Sequence, residues 1–351
     1  MIVFSVIIVI VILVLEYTLS RSFIDNMEYN ASLDKVLYEP GEQIVLKSEI
    51  RNYNRSFVPF VRLREYIPAE SLFEEEDKSV YYGTYWVTVE KTVPMKPREK
   101  LKKHEIFTLS KRGKYEFGDY QLGAGDIFGW HESTISGCGP HSLVIMPQRA
   151  SNQDLIRVVE GFIGDISVRR FIMEDPIITI GFNDYTGREP MKDISWTRTA
   201  VANKLQVKKY DHTTDINVTV MLNFDGEGED DLEECIKITR MVVEQFEEAH
   251  IPYGFRTNGF VFGPTGYFDS VPKGLGETHL KEILFGLATA NCDRVYSFSS
   301  LVDKAIGKRR QNENYFIITR ELDDTGREAL NRLQKHCDGK IGIIVGKEER
   351  Q

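Results

Sequence analysis

The chain has 351 residues, of which 42% are hydrophobic and 28% are charged, and its formal net charge is −9 at pH 7. These proportions are ordinary for a folded protein with a hydrophobic core, and the length predicts two domains plus an appendage, at roughly 100–200 residues per domain. The negative charge argues against a general nucleic-acid-binding protein, which normally carries a basic face, so no nucleic-acid partner is expected. The four cysteines are widely spaced without a CxxC pair, and therefore predict neither a disulfide framework nor a zinc site.

Residues 2–15 are apolar except for one serine. Fourteen helical residues rise about 21 Å, and extension through Leu19 brings the segment close to the roughly 30 Å of a hydrocarbon core. A signal peptide, a buried strand and a core helix are the alternatives, but the segment lacks a positive n-region and an Ala-x-Ala-like cleavage site. We therefore predict a membrane anchor helix over residues 1–20. One nearby basic residue, Arg21, is too little to set its orientation by the positive-inside rule.

Residues 29–147 have an alternating pattern of apolar and polar side chains. Ile44 and Leu46 would lie on one face of a strand, and Lys47 and Glu49 on the other. Turn residues such as Pro40-Gly41 separate short runs of this kind. Many short strands between turns predict an Ig-like β-sandwich domain over residues 29–147.

Residues 154–351 form the second predicted domain, in which strands and helices alternate. Ile216 to Leu222 is a continuous apolar run, typical of a strand buried on both faces. Asp231 to Ala249 has the apolar spacing of an amphipathic helix. The alternation continues to a last strand at Ile341 to Val345, and it predicts an α/β domain with a mainly parallel sheet. Residues 154–184 have no clear pattern, and we expect them to wrap this domain.

The loop after Leu222 is a candidate metal site, because ligands of open α/β sheets bind beyond the carboxyl ends of the strands. It carries Asn223, Asp225 and Glu227 at alternate positions. Oxygen ligands at this spacing can point to one side of a loop and would suit Mg²⁺ or Ca²⁺. The alternative, which we favour, is that Asn223 forms a turn and that the acidic residues are charges at a helix N-terminus.

The segment from 185 to 210, here named the signature segment, concentrates charge and helix boundaries. Pro190 predicts an extended start, Asp193 the N-cap of a short helix, and Asn203 the left-handed residue that ends it. A strand follows. We expect Trp196 to be buried between its helix and the sheet, and the charged side chains to be the better candidates for a protein interface.

This segment also carries a family resemblance. The pattern Tyr-x-x-x-acid-Pro-x-base-x-Ile-x-Trp, which begins at Tyr185, and the later Leu-x-Val-Lys-x-Tyr resemble the signature of the bacterial "domain of unknown function 58" family. The family has Gly-Asp where this chain has Arg188-Glu189, and an arginine in place of Lys192. The candidate interaction residues within the signature segment are Tyr185, Glu189, Lys192, Trp196, Arg198 and Lys208.

The resemblance implies a von Willebrand A-type second domain and a MoxR-type AAA+ ATPase as partner. A cytosolic ATPase would require the folded domains to face the cytoplasm. In A-type domains the metal-ion-dependent adhesion site has the pattern Asp-x-Ser-x-Ser, from which this chain departs, since Asn223 replaces the leading aspartate and both serines are absent.

Enzyme motifs are absent from the sequence: it has no Gly-x-Ser-x-Gly elbow, no His-Glu-x-x-His and no Walker loop. We therefore favour a membrane-anchored, non-enzymatic adaptor whose acidic loop and signature segment form one docking face. A divalent-metal-dependent binding module of the cell envelope is the alternative. A hydrolase with a triad assembled only in space is the third.

Overall fold

The computed structural model describes residues 23–73, 79–126, 132–140, 142–172, 175–211, 217–263, 266–307 and 313–346, together with 4, 7 and 10. Apart from those three residues, the anchor predicted over 1–20 lies outside the described part. In the described ranges, no helix combines the length and the apolar character needed to span a membrane. The chain divides into two compact units, Met1–Gln148 and Arg149–Gln351.

The first unit is built from short strands. In the described ranges they are β1 (Met27–Leu33), β2 (Leu37–Tyr38), β3 (Gln43–Asn52), β4 (Val58–Pro68), β5 (Leu72–Phe73), β6 (Val80–Tyr82), β7 (Trp86–Met95), β8 (Lys100–Thr108), β9 (Gly113–Glu116), β10 (Asp119–Gly125), β11 (Glu132–Cys138) and β12 (Ser142–Ile145). They form a sheet of order β1-β3-β8-β5, a sheet of order β11-β10-β4-β7-β6, and a small sheet of order β2-β12-β9.

The core of the first unit lies between the four-stranded and the five-stranded sheets. Every second residue of β3 is buried, as its alternating sequence predicts, because successive side chains of a strand point to opposite faces. Ile44 and Phe107 of one sheet share a buried cluster with Ile67 and Val89 of the other. The two sheets therefore pack face to face as a β-sandwich.

The second unit combines strands and helices. Its strands are β13 (Asp175–Asp184), β14 (Gln206–Asp211), β15 (Asn217–Asn223), β16 (Tyr253–Gly263), β17 (Gly266–Gly274), β18 (Glu313–Thr319) and β19 (Ile341–Val345). Its helices are α1 (Gln153–Ile172), α2 (Trp196–Ala202), α3 (Glu229–Glu248), α4 (Glu277–Thr289), α5 (Phe298–Gly307) and α6 (Asp324–His336). A 3-10 helix at Met191–Asp193 precedes α2.

The central sheet of this unit has the order β17-β16-β15-β18-β19. β15 is parallel to β16 and to β18, and β18 is parallel to β19, whereas the edge strand β17 is antiparallel to β16. The carboxyl ends of four strands thus lie at one edge of the sheet. β13 and β14 form a separate antiparallel pair.

Helices cover both faces of the central sheet. Phe162 of α1 lies with its ring centroid 5.1 Å from that of Phe316 and 6.2 Å from that of Phe246. The next residue of β18, Ile317, points to the opposite face and packs with Leu301 and Leu330 from α5 and α6. Residues 154–184, which have no clear pattern in the sequence, contain β13 and all of α1 except its first residue.

Candidate functional site

Asn223, the last residue of β15, connects three strands at the carboxyl edge of the sheet. It is 1% exposed. Its Oδ1 accepts hydrogen bonds from the backbone N of Asp225 at 3.0 Å and from Nδ2 of Asn258 at 2.9 Å, and its Nδ2 donates to Oγ1 of Thr319 at 3.0 Å. The bond to the residue two positions later makes an Asx-turn, so Asn223 sets the course of the loop that follows.

Asp225 is the second member of this edge. Its Oδ1 accepts a hydrogen bond from Nδ2 of Asn258 at 2.9 Å and lies 3.5 Å from Nη1 of Arg294. Its Oδ2 accepts a bond from the backbone N of Phe298 at 2.8 Å, which is the first N–H of α5. The first N–H groups of a helix have no partner within the helix, and a carboxylate is favoured there by the helix dipole. Asp225 thereby fixes the start of α5 against the loop after β15.

Arg320 follows β18 directly and is 4% exposed. Its guanidinium group donates to the backbone carbonyl oxygens of Phe224, of Asp225 at 3.3 Å and of Gly228 at 2.8 Å. A buried charge must be compensated by hydrogen bonds or by opposite charge. The carbonyl dipoles of the loop provide that compensation. The backbone carbonyl oxygens of the loop therefore point at the guanidinium group of Arg320.

The residues of this loop do not fit a bound Mg²⁺ or Ca²⁺ ion. Such an ion needs several oxygen ligands on one side of the loop. Each side-chain oxygen of Asn223 and Asp225 accepts a hydrogen bond from the protein, and Glu227 is an exposed residue. Within the described ranges, no three His, Cys, Asp or Glu side chains form a group that could hold a metal ion. The geometry is that of the favoured alternative, a turn followed by acidic residues in the first turn of α3.

The signature segment forms a small module of its own. β13 and β14 pair with Phe182 opposite Lys208 and Asn183 opposite Val207. The carboxylate of Glu189 accepts hydrogen bonds from Oγ1 of Thr186 at 2.7 Å and from its backbone N at 2.9 Å, and these bonds lower the pKa of Glu189. The backbone N of Tyr185 donates to the carbonyl of Leu205 at 2.9 Å. Glu189, through its carboxylate, and Tyr185, through its backbone, therefore make contacts within the module.

The prediction that Asp193 caps the short helix is wrong. Asp193 ends the 3-10 helix, and α2 has Ser195 as its N-cap residue. The reason is Ile194, which is extended and forms an isolated bridge with Val207, so the helix cannot begin before it. Asn203 ends α2 in the left-handed region, with φ 52° and ψ 22°, as predicted.

The prediction that Trp196 is buried is also wrong, since 63% of this residue is exposed. Ile194 and Val207, 5% and 6% exposed, are the buried apolar residues of the module instead. Arg198 places its guanidinium carbon 5.1 Å from the ring centroid of Phe182, and the strand partner of Phe182 is the exposed Lys208. The exposed residues Met191, Lys192, Trp196, Arg198 and Lys208 are here named the signature surface.

The acidic loop and the signature segment join the central sheet at different points. The chain reaches the start of β15 from β14, and it leaves the end of β15 into the loop that contains Asp225. The seven residues of β15 separate these points by about 20 Å. The path of the chain gives no support to a single docking face made of both regions.

Asn258 and Arg320 are the edge residues that the sequence analysis missed. Arg320 directly follows the apolar run of β18, which was the available signal.

Three histidines of the described ranges place a ring nitrogen against a backbone carbonyl oxygen, namely His250, His279 and His336. These contacts give the rings structural partners.

No protein-family model matches the chain. It is 22% identical over 242 residues to the uncharacterized protein YeaD of Bacillus subtilis, a match that covers 68% of this chain. The chain spans 57% of the length of that relative.

Two of the solved structures that match cover about a third of the chain. One is the CARDB domain of a Pyrococcus furiosus protein in complex with di-metal ions, with 11% identity, a TM-score of 0.23, and coverage of 34% of this chain and 86% of the other. The second is AvmM, which catalyses macrocyclization in alchivemycin A biosynthesis, with 12% identity, a TM-score of 0.25, and coverage of 36% and 92%. Similarity at this level carries no argument about function.

Proposed function

We propose that this chain is a membrane-anchored, non-enzymatic adaptor that binds a protein partner through the signature surface. The observation that carries the proposal is the exposure of Trp196, at 63%, in a stretch of chain that also contains the exposed cationic residues Lys192 and Arg198. Single exposed apolar residues are normal on a protein. Here Met191, Val201 and Leu205 are exposed as well, at 70%, 77% and 41%, within one short stretch. Exposed apolar side chains that lie together on a surface mark interaction sites, so we take this stretch as the candidate interface.

The chemistry of the signature surface indicates the kind of partner. Tryptophan and arginine are among the residues that most often dominate the binding energy of an interface. Lys192, Arg198 and Lys208 give this surface a positive character, and electrostatic complementarity favours an acidic patch on the partner. Because Trp196 is exposed, its side chain contributes little to folding and is available for binding.

The family resemblance of the signature segment indicates which protein is the partner. We propose that the chain is a relative of the "domain of unknown function 58" proteins, with an Ig-like first unit and a von Willebrand A-like second unit. The parallel pairing of β15, β16, β18 and β19 with helices on both faces supports the second assignment. The partner is then a MoxR-type AAA+ ATPase, residues 1–20 anchor the chain in the membrane, and both units face the cytoplasm.

Co-purification from membranes tests the partner. The full chain is expressed with a MoxR-type ATPase and captured with ATP, with ADP and without nucleotide. Wild-type chain is expected to retain the ATPase in at least one state. Trp196→Ala and Arg198→Glu are each expected to weaken binding by about thirtyfold or more, the effect of losing an interface hot spot. The matched control is Tyr85→Ala, which removes an aromatic residue of 80% exposure from the first unit.

The two possible failures have different meanings. Absence of the ATPase in every nucleotide state would contradict the partner. Retention that Trp196→Ala and Arg198→Glu leave unchanged would contradict the signature surface as the binding site.

Topology is tested with the native cysteines. Cys138 and Cys292 are exposed, one in each unit. A membrane-impermeant thiol reagent is expected to label both in inverted vesicles and neither in intact cells. Labelling in intact cells would place the units outside and contradict a cytoplasmic partner.

A further inference from the structure

We propose that Arg320 is the structural cation of the carboxyl edge of the central sheet, so that the loop after β15 is ordered without a divalent ion. Arg320 lies outside the signature surface. It contacts the loop in which Asn223, Asp225 and Glu227 were the candidate metal ligands.

The first support is the number of groups that one guanidinium holds. Arginine has five N–H donors in a fixed plane, which allows it to bind several acceptors at once. Arg320 uses three of its nitrogen atoms on the carbonyl oxygens of Phe224, Asp225 and Gly228. Arg320 belongs to the loop after β18, so these bonds tie two loops of the same edge together.

The second support is that the remaining polar groups of the edge are bound to each other. Asn258 donates from Nδ2 to the side-chain oxygens of Asn223 and Asp225, both at 2.9 Å, and its own Oδ1 accepts from the backbone N of Phe224 at 2.8 Å. Asp225 also holds the first N–H of α5. Oδ1 of Asn223 accepts two hydrogen bonds from the protein and has no lone pair left for a divalent ion.

The third support is burial. Arg320 is 4% exposed, so its charge cannot be satisfied by solvent, and breaking one side of a buried charged contact is strongly destabilising. The carbonyl oxygens of Phe224, Asp225 and Gly228 would in turn lose a charged donor. Each side of the contact therefore requires the other.

The wild-type chain gives the first test, with Mg²⁺, Ca²⁺ and EDTA as the probes. A ligand that binds only the folded state raises the melting temperature. We expect no heat of binding in calorimetry, no change of melting temperature with either ion or with EDTA, and no change of hydrogen exchange in residues 222–229. Slower exchange there with Mg²⁺ or Ca²⁺ would overturn the proposal.

Replacement of Arg320 gives the second test. Arg320→Gln is expected to accelerate hydrogen exchange in residues 222–229 by about tenfold or more, because buried hydrogen bonds to a charged group are lost. Arg294→Gln is the control, since this guanidinium is exposed and lies 3.5 Å from the same Asp225. The control is expected to exchange like wild type.

Arg320→Lys separates charge from geometry. It retains the charge but lacks the planar fork, so we expect exchange between that of wild type and that of Arg320→Gln. Exchange in Arg320→Gln at the wild-type rate would overturn the proposal. Should Arg320→Gln fail to fold, the lysine variant and the wild-type metal titration decide: wild-type exchange in the lysine variant, or protection by either ion, counts against Arg320.

Discussion

Glu65 and Lys103 face each other across the interior of the β-sandwich, with Oε2 and Nζ 2.8 Å apart. Glu65 belongs to β4 in one sheet and Lys103 to β8 in the other, and their side chains are 3% and 8% exposed. Glu65 also accepts hydrogen bonds from Tyr29 at 2.6 Å and from Ser48. Burial, together with the charge of Glu65, raises the pKa of Tyr29 far above its usual range, which keeps the phenol protonated as a donor.

This pair predicts a large effect for the removal of one partner. Lys103→Met leaves Glu65 as a buried charge without its cation, and we expect the free energy of unfolding to fall by about 3–5 kcal/mol. The double variant Glu65→Gln/Lys103→Met should be clearly more stable than Lys103→Met, because the neutral amide removes the buried charge while its oxygen still accepts from Tyr29 and Ser48. Urea unfolding at pH 7 measures all three proteins.

The control for the buried pair is Lys102→Met, which changes an exposed lysine of the same strand and should stay within about 0.5 kcal/mol of wild type. A double variant no more stable than Lys103→Met would show that the two residues act independently.

Strand periodicity made much of the fold predictable, whereas α1 was missed for a physical reason. The buried face of α1 consists of Leu155, Val159, Phe162 and Ile166, which have helical spacing. The opposite face carries exposed apolar residues too, including Val168 at 58%. With apolar side chains on both faces, the sequence has no clear stripe to recognise.

The candidate site was predictable only in part, because its contacts connect distant parts of the chain. Asn223 and Asp225 could be selected because they follow an apolar strand. Arg320, which binds the carbonyl of Asp225, is 95 residues away along the chain, and only the strand order brings the two together. The start of α2 at Trp196 depends likewise on the bridge of Ile194 with Val207, a contact that spacing along a helix does not reveal.

Two glycines should respond in opposite ways to replacement by alanine. A Cβ atom on Gly259 would lie 2.5 Å from the ring of the buried Phe224, so Gly259→Ala should destabilise the protein by about 1–3 kcal/mol through overpacking. Gly161 lies in α1 with no atom within 4 Å of its Cβ position, and Gly161→Ala should stabilise by up to about 1 kcal/mol through better helix propensity. Thermal unfolding of the two variants and of wild type measures whether each replacement lowers or raises the melting temperature. Equal melting temperatures for the two would contradict the packing of Gly259 on Phe224.

The cysteines should differ in reactivity according to burial. Burial raises the pKa of the Cys235 thiol to about 12, whereas Cys138 and Cys292 are exposed. The thiolate is the reactive form, so at pH 8 only on the order of one in ten thousand Cys235 thiols is available even before access is considered. We expect a maleimide to modify Cys138 and Cys292 in the folded protein and Cys235 only after unfolding. Peptide mass mapping of the labelled protein identifies the modified cysteines.

The check on this assignment is Cys235→Ala, which should leave the amount of label on the folded protein unchanged. Modification of Cys235 as fast as that of Cys138 would contradict its burial.

Asp269 should contribute to the pH dependence of stability. Burial works to raise the pKa of this carboxyl group, but the hydrogen bond and charge of Lys304 at 3.0 Å and the hydrogen bond from Tyr296 at 3.1 Å outweigh it, so the pKa is lowered overall. A carboxylate with a lowered pKa stabilises the folded state at any pH above its unfolded pKa, about 3.9, and this contribution disappears as the pH falls through the folded pKa. Asp269→Asn should therefore be less stable than wild type at pH 5, and the difference should shrink as the pH approaches 2.

Urea unfolding of both proteins from pH 5 downwards measures the difference in stability. The control is Glu282→Gln, which removes an exposed carboxylate in α4. A difference that stays constant with pH would show that the carboxylate charge of Asp269 is not what stabilises the contact with Lys304.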